Sequence, residues 1–102
     1  MQYNIQTAGD KITVKINGRL TFKEHSTCRD LIRELSNQSG RSEIIDLANL
    51  EFIDSAGLGL LLRIKEAAEK DGRSVALRVP HEGQVYKMLS VAEFEKMIPF
   101  ES

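Results

Sequence analysis

The 102 residues suffice for one domain of ordinary size with its own core and leave no room for a second. Fourteen Lys+Arg against 15 Asp+Glu give a formal net charge of -1 with no long run of either sign, which excludes the basic footprint of a nucleic-acid-binding or membrane-surface protein. Cys28 is the single cysteine and has no disulfide partner in the chain; the first residues, MQYNIQT, are polar, and the longest apolar run, around Leu58 to Leu62, falls far short of the roughly 18 residues a membrane span needs. The expectation is a cytoplasmic protein with no membrane insertion.

Along the chain, Tyr3 and Ile5 alternate with polar neighbours, a Gly9-Asp10 turn signal follows, and Ile12, Val14 and Ile16 alternate with Lys11, Thr13 and Lys15. That spacing predicts a hairpin with one buried face. From about Lys23 to Gln38 the period becomes helical, with Cys28, Leu31, Ile32 and Leu35 on one side and Gly40 placed as a C-terminal glycine. Ile44, Ile45 and Leu47 form a compact apolar run, as a central strand covered on both faces requires. A second helix is predicted from Ser55 to Lys70, ending at Asp71-Gly72; Val75, Leu77 and Val79 make a further strand closed by Pro80. A short third helix carries Val85, Met88 and Leu89, and the tail from Phe94 to Phe100 is predicted as a short edge strand. Strands separated by helices imply right-handed crossovers, hence an α/β fold with a mixed sheet and helices packed on it.

In open sheets of this kind, functional groups gather where strands end and helices begin, which directs attention to Asn49–Gly59. Ser55 has N-cap chemistry, since its hydroxyl oxygen can accept from an amide of the first turn. Capping does not explain Gly57 and Gly59, because a glycine inside a helix costs about 1 kcal/mol relative to alanine. Either close packing of helix on sheet or a partner approaching the loop requires bare backbone there.

The stretch from Asp46 to Leu62, DLANLEFIDSAGLGLLL, resembles the signature of STAS domains in bacterial anti-sigma factor antagonists, roughly D-L-S-x-V-x-F-I-D-S-S-G-L-G-x-L. Gly18-Arg19-Leu20 is similar to that family's earlier G-x-L-D element, with Thr21 in place of the aspartate. The resemblance implies the STAS fold, a mixed β-sheet of four to five strands with three to four helices packed on it. It also implies partner switching. The unphosphorylated antagonist binds and sequesters a serine kinase that is also an anti-sigma factor, of the histidine-kinase-like ATPase type; phosphorylation at the position of Ser55 releases it, and a serine phosphatase reverses the change. The second serine that is frequent in the family is Ala56 here, which leaves Ser55 as the one matching acceptor. The partner-binding residues so implied are Asp54, Ser55, Ala56 and Gly57, and Thr21 in the place of the aspartate. An alternative role for such a domain is an adaptor or accessory subunit of another machine, such as a lipid transporter, with no sigma factor involved.

A projection at 100° per residue puts Leu60, Leu61, Ile64, Ala67 and Ala68 on the core side of the second helix. Leu58 and Leu62 project within roughly 60° of Ser55 on the other side, among Lys65, Glu66 and Glu69, so they are either covered by another helix or form an apolar anchor strip beside Ser55. Other chemistries find little support. Cys28 sits in an apolar stripe without a C-x-x-C partner, His25 and His81 lack metal-ligand spacing, and Gly57-Leu58-Gly59 lacks the rest of a nucleotide fingerprint. Asp54-Ser55-Ala56 is no nucleophile elbow, so neither enzymatic activity nor a cofactor is expected.

Overall fold

A computed structural model describes residues 1–101. The strands are β1 (Gln2–Ala8), β2 (Lys11–Leu20), β3 (Ser42–Asp46), β4 (Leu50–Ile53) and β5 (Ser74–Arg78); the α-helices are α1 (His25–Ser36), α2 (Ser55–Lys70) and α3 (Gly83–Val91). The hairpin forms as its alternation predicts. Gln2 lies opposite Asn17 and Ala8 opposite Lys11, Gly9 takes φ +60 in the turn, and Ile12, Val14 and Ile16 are buried. β2 then serves two partners in succession. Its first half runs parallel to β3, the register breaks between Gly18 and Arg19, and Gly18–Leu20 runs parallel to β4. With β5 on the outer side of β3, the order is β1-β2-β3-β5 with β4 beside the end of β2, so β3 is central, as its unbroken apolar run requires.

β4 has no counterpart among the elements that the sequence pattern predicts. Asp46 explains the difference, since its Oδ1 accepts from the Ala48 amide at 2.9 Å while the Leu50 amide donates to the Leu47 carbonyl at 3.0 Å. This Asx-type turn offsets the chain within Leu47–Leu50 without reversing it, so β4 continues in the direction of β3 beside the later part of β2, as a four-residue strand too short to show a period.

The first predicted helix divides into a 3-10 turn at Phe22–Glu24, with Thr21 Oγ1 accepting from the Lys23 amide, and α1, which buries Cys28, Leu31 and Leu35. Gly40 does not cap it; α1 ends at Asn37 in a right-handed conformation. A Cβ at Gly40 would stand 2.9 Å from the Asp10 carbonyl oxygen and 3.0 Å from Ile12 Cγ1, so that glycine serves the approach of the chain to the β1–β2 turn. α2 has the predicted bounds and buries Gly57, Leu60, Leu61, Ile64 and Ala68, while Ala67 is half-buried. The tail differs from the predicted strand. Phe94–Lys96 is a second 3-10 turn, Phe94 and Ile98 are buried, and only the single bridge between Phe100 and Leu77 continues the sheet.

Candidate functional site

The site grows from the end of β4. Ile53 lies beside Leu20 in the sheet, and the Asp54 amide donates to the Leu20 carbonyl at 3.3 Å, so the chain leaves β4 tied to the end of β2. Asp54, extended at φ -109 and ψ -179, is the N-cap of α2: its Oδ1 accepts from the Gly57 amide at 2.7 Å. Its Oδ2 accepts from the Phe22 amide at 3.3 Å. The expectation that Ser55 caps the helix is therefore corrected. Both side chains have capping chemistry, but the extended backbone belongs to Asp54, and Ser55 is the first helical residue.

This frees the Ser55 hydroxyl. Its side chain is exposed at the N-terminus of a 16-residue helix, where the Ser55 and Ala56 amides have no acceptor within the helix. Gly57 is buried because helix and sheet meet there: a Cβ would stand 2.2 Å from the Leu20 carbonyl oxygen and 2.7 Å from Ile53 Cγ1. Gly59 is exposed, and a Cβ there would meet nothing within 4 Å. Of the two explanations for bare backbone, close packing accounts for Gly57 and leaves Gly59 unexplained by the fold.

The structure gathers Thr21, Asp54, Ser55, Ala56, Gly57 and Leu58 at one corner, because Asp54 bonds the residues on both sides of Thr21. Thr21 itself is buried, and Ala56 is half-buried. Leu58 and Leu62 fall between the two alternatives posed for them: each is half-buried at the rim of the core. α1 approaches α2 beside Arg63, whose guanidinium lies 3.4 Å from His25 Nδ1, roughly 100° around the helix from Leu62.

Sequence reasoning missed two residues here. Phe22 is 60% exposed in the 3-10 turn that packs against α2, although its amide bonds Asp54; an aromatic among Thr21, Lys23 and Glu24 was the available signal. Gln84, at the second position of α3, binds both backbone groups of Ile53, and no sequence pattern announces that. Among the described residues, no group of three or more His, Cys, Asp and Glu could hold a metal ion, and no helix is long and apolar enough to cross a membrane.

The family model described as "Mlab, STAS domain" matches residues 3–99. The chain belongs to the STAS-domain family. The STAS domain is 29% identical over 89 residues to a STAS-domain-containing protein of Pseudomonas aeruginosa strain UCBPP-PA14, covering 87% of this chain and 86% of that protein. Its fold is similar to that of a candidate anti-sigma factor antagonist of Thermotoga maritima, with a TM-score of 0.80 and 22% identity over 98% of this chain and 86% of the other. The anti-sigma factor antagonist SpoIIAA in its unphosphorylated form gives a TM-score of 0.64 and 21% identity, covering 91% of this STAS domain and 83% of the other chain. The same fold occurs within a much longer chain: the murine Solute Carrier 26 family member A9 anion transporter matches at a TM-score of 0.72 and 21% identity, over 89% of this chain but 15% of that one. The mixed five-stranded sheet with its three α-helices is the STAS fold.

Proposed function

We propose that this STAS domain is a cytoplasmic anti-sigma factor antagonist that works by partner switching, with Ser55 as the phosphoacceptor. The observation that carries the proposal is the release of the Ser55 hydroxyl from capping by Asp54, which leaves it exposed at the first helical position. Around it lie exposed Phe22, half-buried Leu58 and exposed Gly59, with Leu62 one turn farther along the same flank of α2. In the unphosphorylated state this rim docks a serine kinase that is also an anti-sigma factor.

A phosphate on Ser55 brings about -1.5 to -2 charges. The helix N-terminus favours an anion by roughly 0.3–1 kcal/mol, so the fold tolerates it. The interface does not, because docking then has to desolvate a dianion next to the Asp54 carboxylate; a penalty of about 3 kcal/mol weakens binding on the order of a hundredfold.

The test is incubation with a serine kinase of the histidine-kinase-like ATPase type and ATP, followed by intact-mass measurement and partner titration. The expected result is one added phosphate on the parent, none on Ser55→Ala, and loss of the partner only from the phosphorylated form. Phosphate uptake by Ser55→Ala would reject the assignment. A domain that is never phosphorylated yet binds a component of a transport machine would favour the adaptor role instead, a reading the occurrence of this fold within an anion transporter keeps in view.

A further inference from the structure

The outer edge of β4 is closed by a side chain. β4 pairs with β2 along one edge; at the other, Gln84 Nε2 donates to the Ile53 carbonyl at 2.7 Å and Gln84 Oε1 accepts from the Ile53 amide at 3.0 Å. A primary amide thus supplies both bonds that one residue of a neighbouring strand would supply. Ile53 is fully buried, so losing them strands two backbone groups away from water. Ile53 directly precedes the Asp54 cap and stands two residues before Ser55. The remaining anchorage of α3 is apolar, through Val85 and Leu89, and fixes no backbone register. Gln84 is itself half-buried and lines an open depression of about 450 Å³ with Lys87, Met88 and Val91, so it can be reached from outside.

We propose that Gln84 is a positioning residue for the Ser55 switch: it holds Ile53 so that Asp54 stays on its cap and Ser55 presents its hydroxyl in one orientation. The inference rests on the reading of Ser55 as phosphoacceptor. It also makes α3 a second point of control. Coupling between two sites is reciprocal, so a contact that pulls on Gln84 loosens the Ser55 loop, and a partner that orders the loop tightens Gln84.

The experiment compares the parent with Gln84→Leu, Gln84→Glu and the control Lys87→Ala. Gln84→Leu keeps the size and loses both bonds. Gln84→Glu loses the donor while ionised but regains it when protonated, because a neutral carboxyl can donate to the Ile53 carbonyl and accept from the amide. Hydrogen-exchange protection factors of Ile53–Leu58 are read at pH 4 and pH 7, and the kinetics of phosphate incorporation at Ser55 are read with the kinase described above. In Gln84→Leu we expect protection of Ile53–Leu58 to fall at least tenfold while the β3 amides stay within twofold, and the KM for the domain as kinase substrate to rise about tenfold. In Gln84→Glu, loop protection relative to the parent at the same pH should be poor at pH 7 and return at pH 4; referring each pH to the parent removes the pH dependence that Glu43 gives the whole domain. Lys87→Ala should match the parent. Parental protection of the loop in Gln84→Leu would overturn the clamp. A loosened loop with unchanged phosphorylation kinetics would overturn the role of Gln84 alone, and a parent that takes up no phosphate would overturn the Ser55 reading and this role with it.

Discussion

The two glycines at the start of α2 provide a sharp test of why the loop is built as it is. Replacing Gly57 by alanine puts a methyl carbon 2.2 Å from the Leu20 carbonyl oxygen, 3.0 Å from the Leu20 carbonyl carbon and 2.7 Å from Ile53 Cγ1. The first two are backbone atoms of β2 and cannot rotate away, so α2 has to slide by about 1 Å, which strains the Asp54 amide's bond to that carbonyl. Overpacking of this kind costs roughly 1–3 kcal/mol or more, offset by about 1 kcal/mol from better helix propensity; because the obstacle is backbone, we expect a net loss of about 2–4 kcal/mol. At about 4–8 °C per kcal/mol for a domain of this size, Gly57→Ala should melt about 8–32 °C below the parent. Gly59→Ala meets nothing within 4 Å and should gain about 0.5–1 kcal/mol, melting a few degrees higher. Thermal melts by circular dichroism and urea titrations of both variants decide it. A Gly57→Ala protein that melts within 2–3 °C of the parent (about 0.5 kcal/mol) would refute the packing argument. If the bare backbone at Gly59 serves a partner, the stabilised Gly59→Ala variant should bind that partner more weakly.

Three further outcomes follow from the same structure. Glu43 is 1% exposed with no hydrogen-bond partner for either carboxylate oxygen, and burial, opposed by Arg73 at 3.6 Å and reinforced by Asp71, pushes its pKa up to about 7. A raised carboxyl pKa means that the folded state holds the extra proton, so stability is full below about pH 4.5 and falls by roughly 2–4 kcal/mol as pH rises to about 7; Glu43→Gln should flatten that fall in urea titrations at pH 5 and 8, and an unchanged slope would refute the assignment. Asp54→Ala removes both the cap on Gly57 and the bond to Phe22 and should cost about 1–2 kcal/mol, with Asp54→Ser recovering most of it; equal losses in the two would show that capping is not the cause. Leu62→Asp, at a half-buried position, should lose about 1–2 kcal/mol of stability and more than tenfold in partner affinity; parental affinity would remove Leu62 from the interface.

The bounds of α2, the β1–β2 hairpin and the central position of β3 were legible in the sequence because each is written in a local period: 3.6 residues for the helix, two for the hairpin, and an unbroken apolar run for a strand covered on both faces. The helix start at Ser55 was legible too, since Asp-Ser before an apolar helical pattern is a helix-start signal. Which of the two residues caps could not be read, because both have the chemistry and only the pairing of β4 with the end of β2 sets the backbone angle at Asp54. The same holds for the reasons behind Gly40 and Gly57, each decided by a carbonyl oxygen about 30 or more residues earlier in the chain. Gln84 binding Ile53, and Arg73 facing a buried Glu43, join positions 31 and 30 residues apart. Periodicity reports which face of an element is apolar. It carries no information about which distant polar group will meet a backbone amide or a buried carboxylate, because those meetings are fixed only when the crossovers bring remote strands and helices into register.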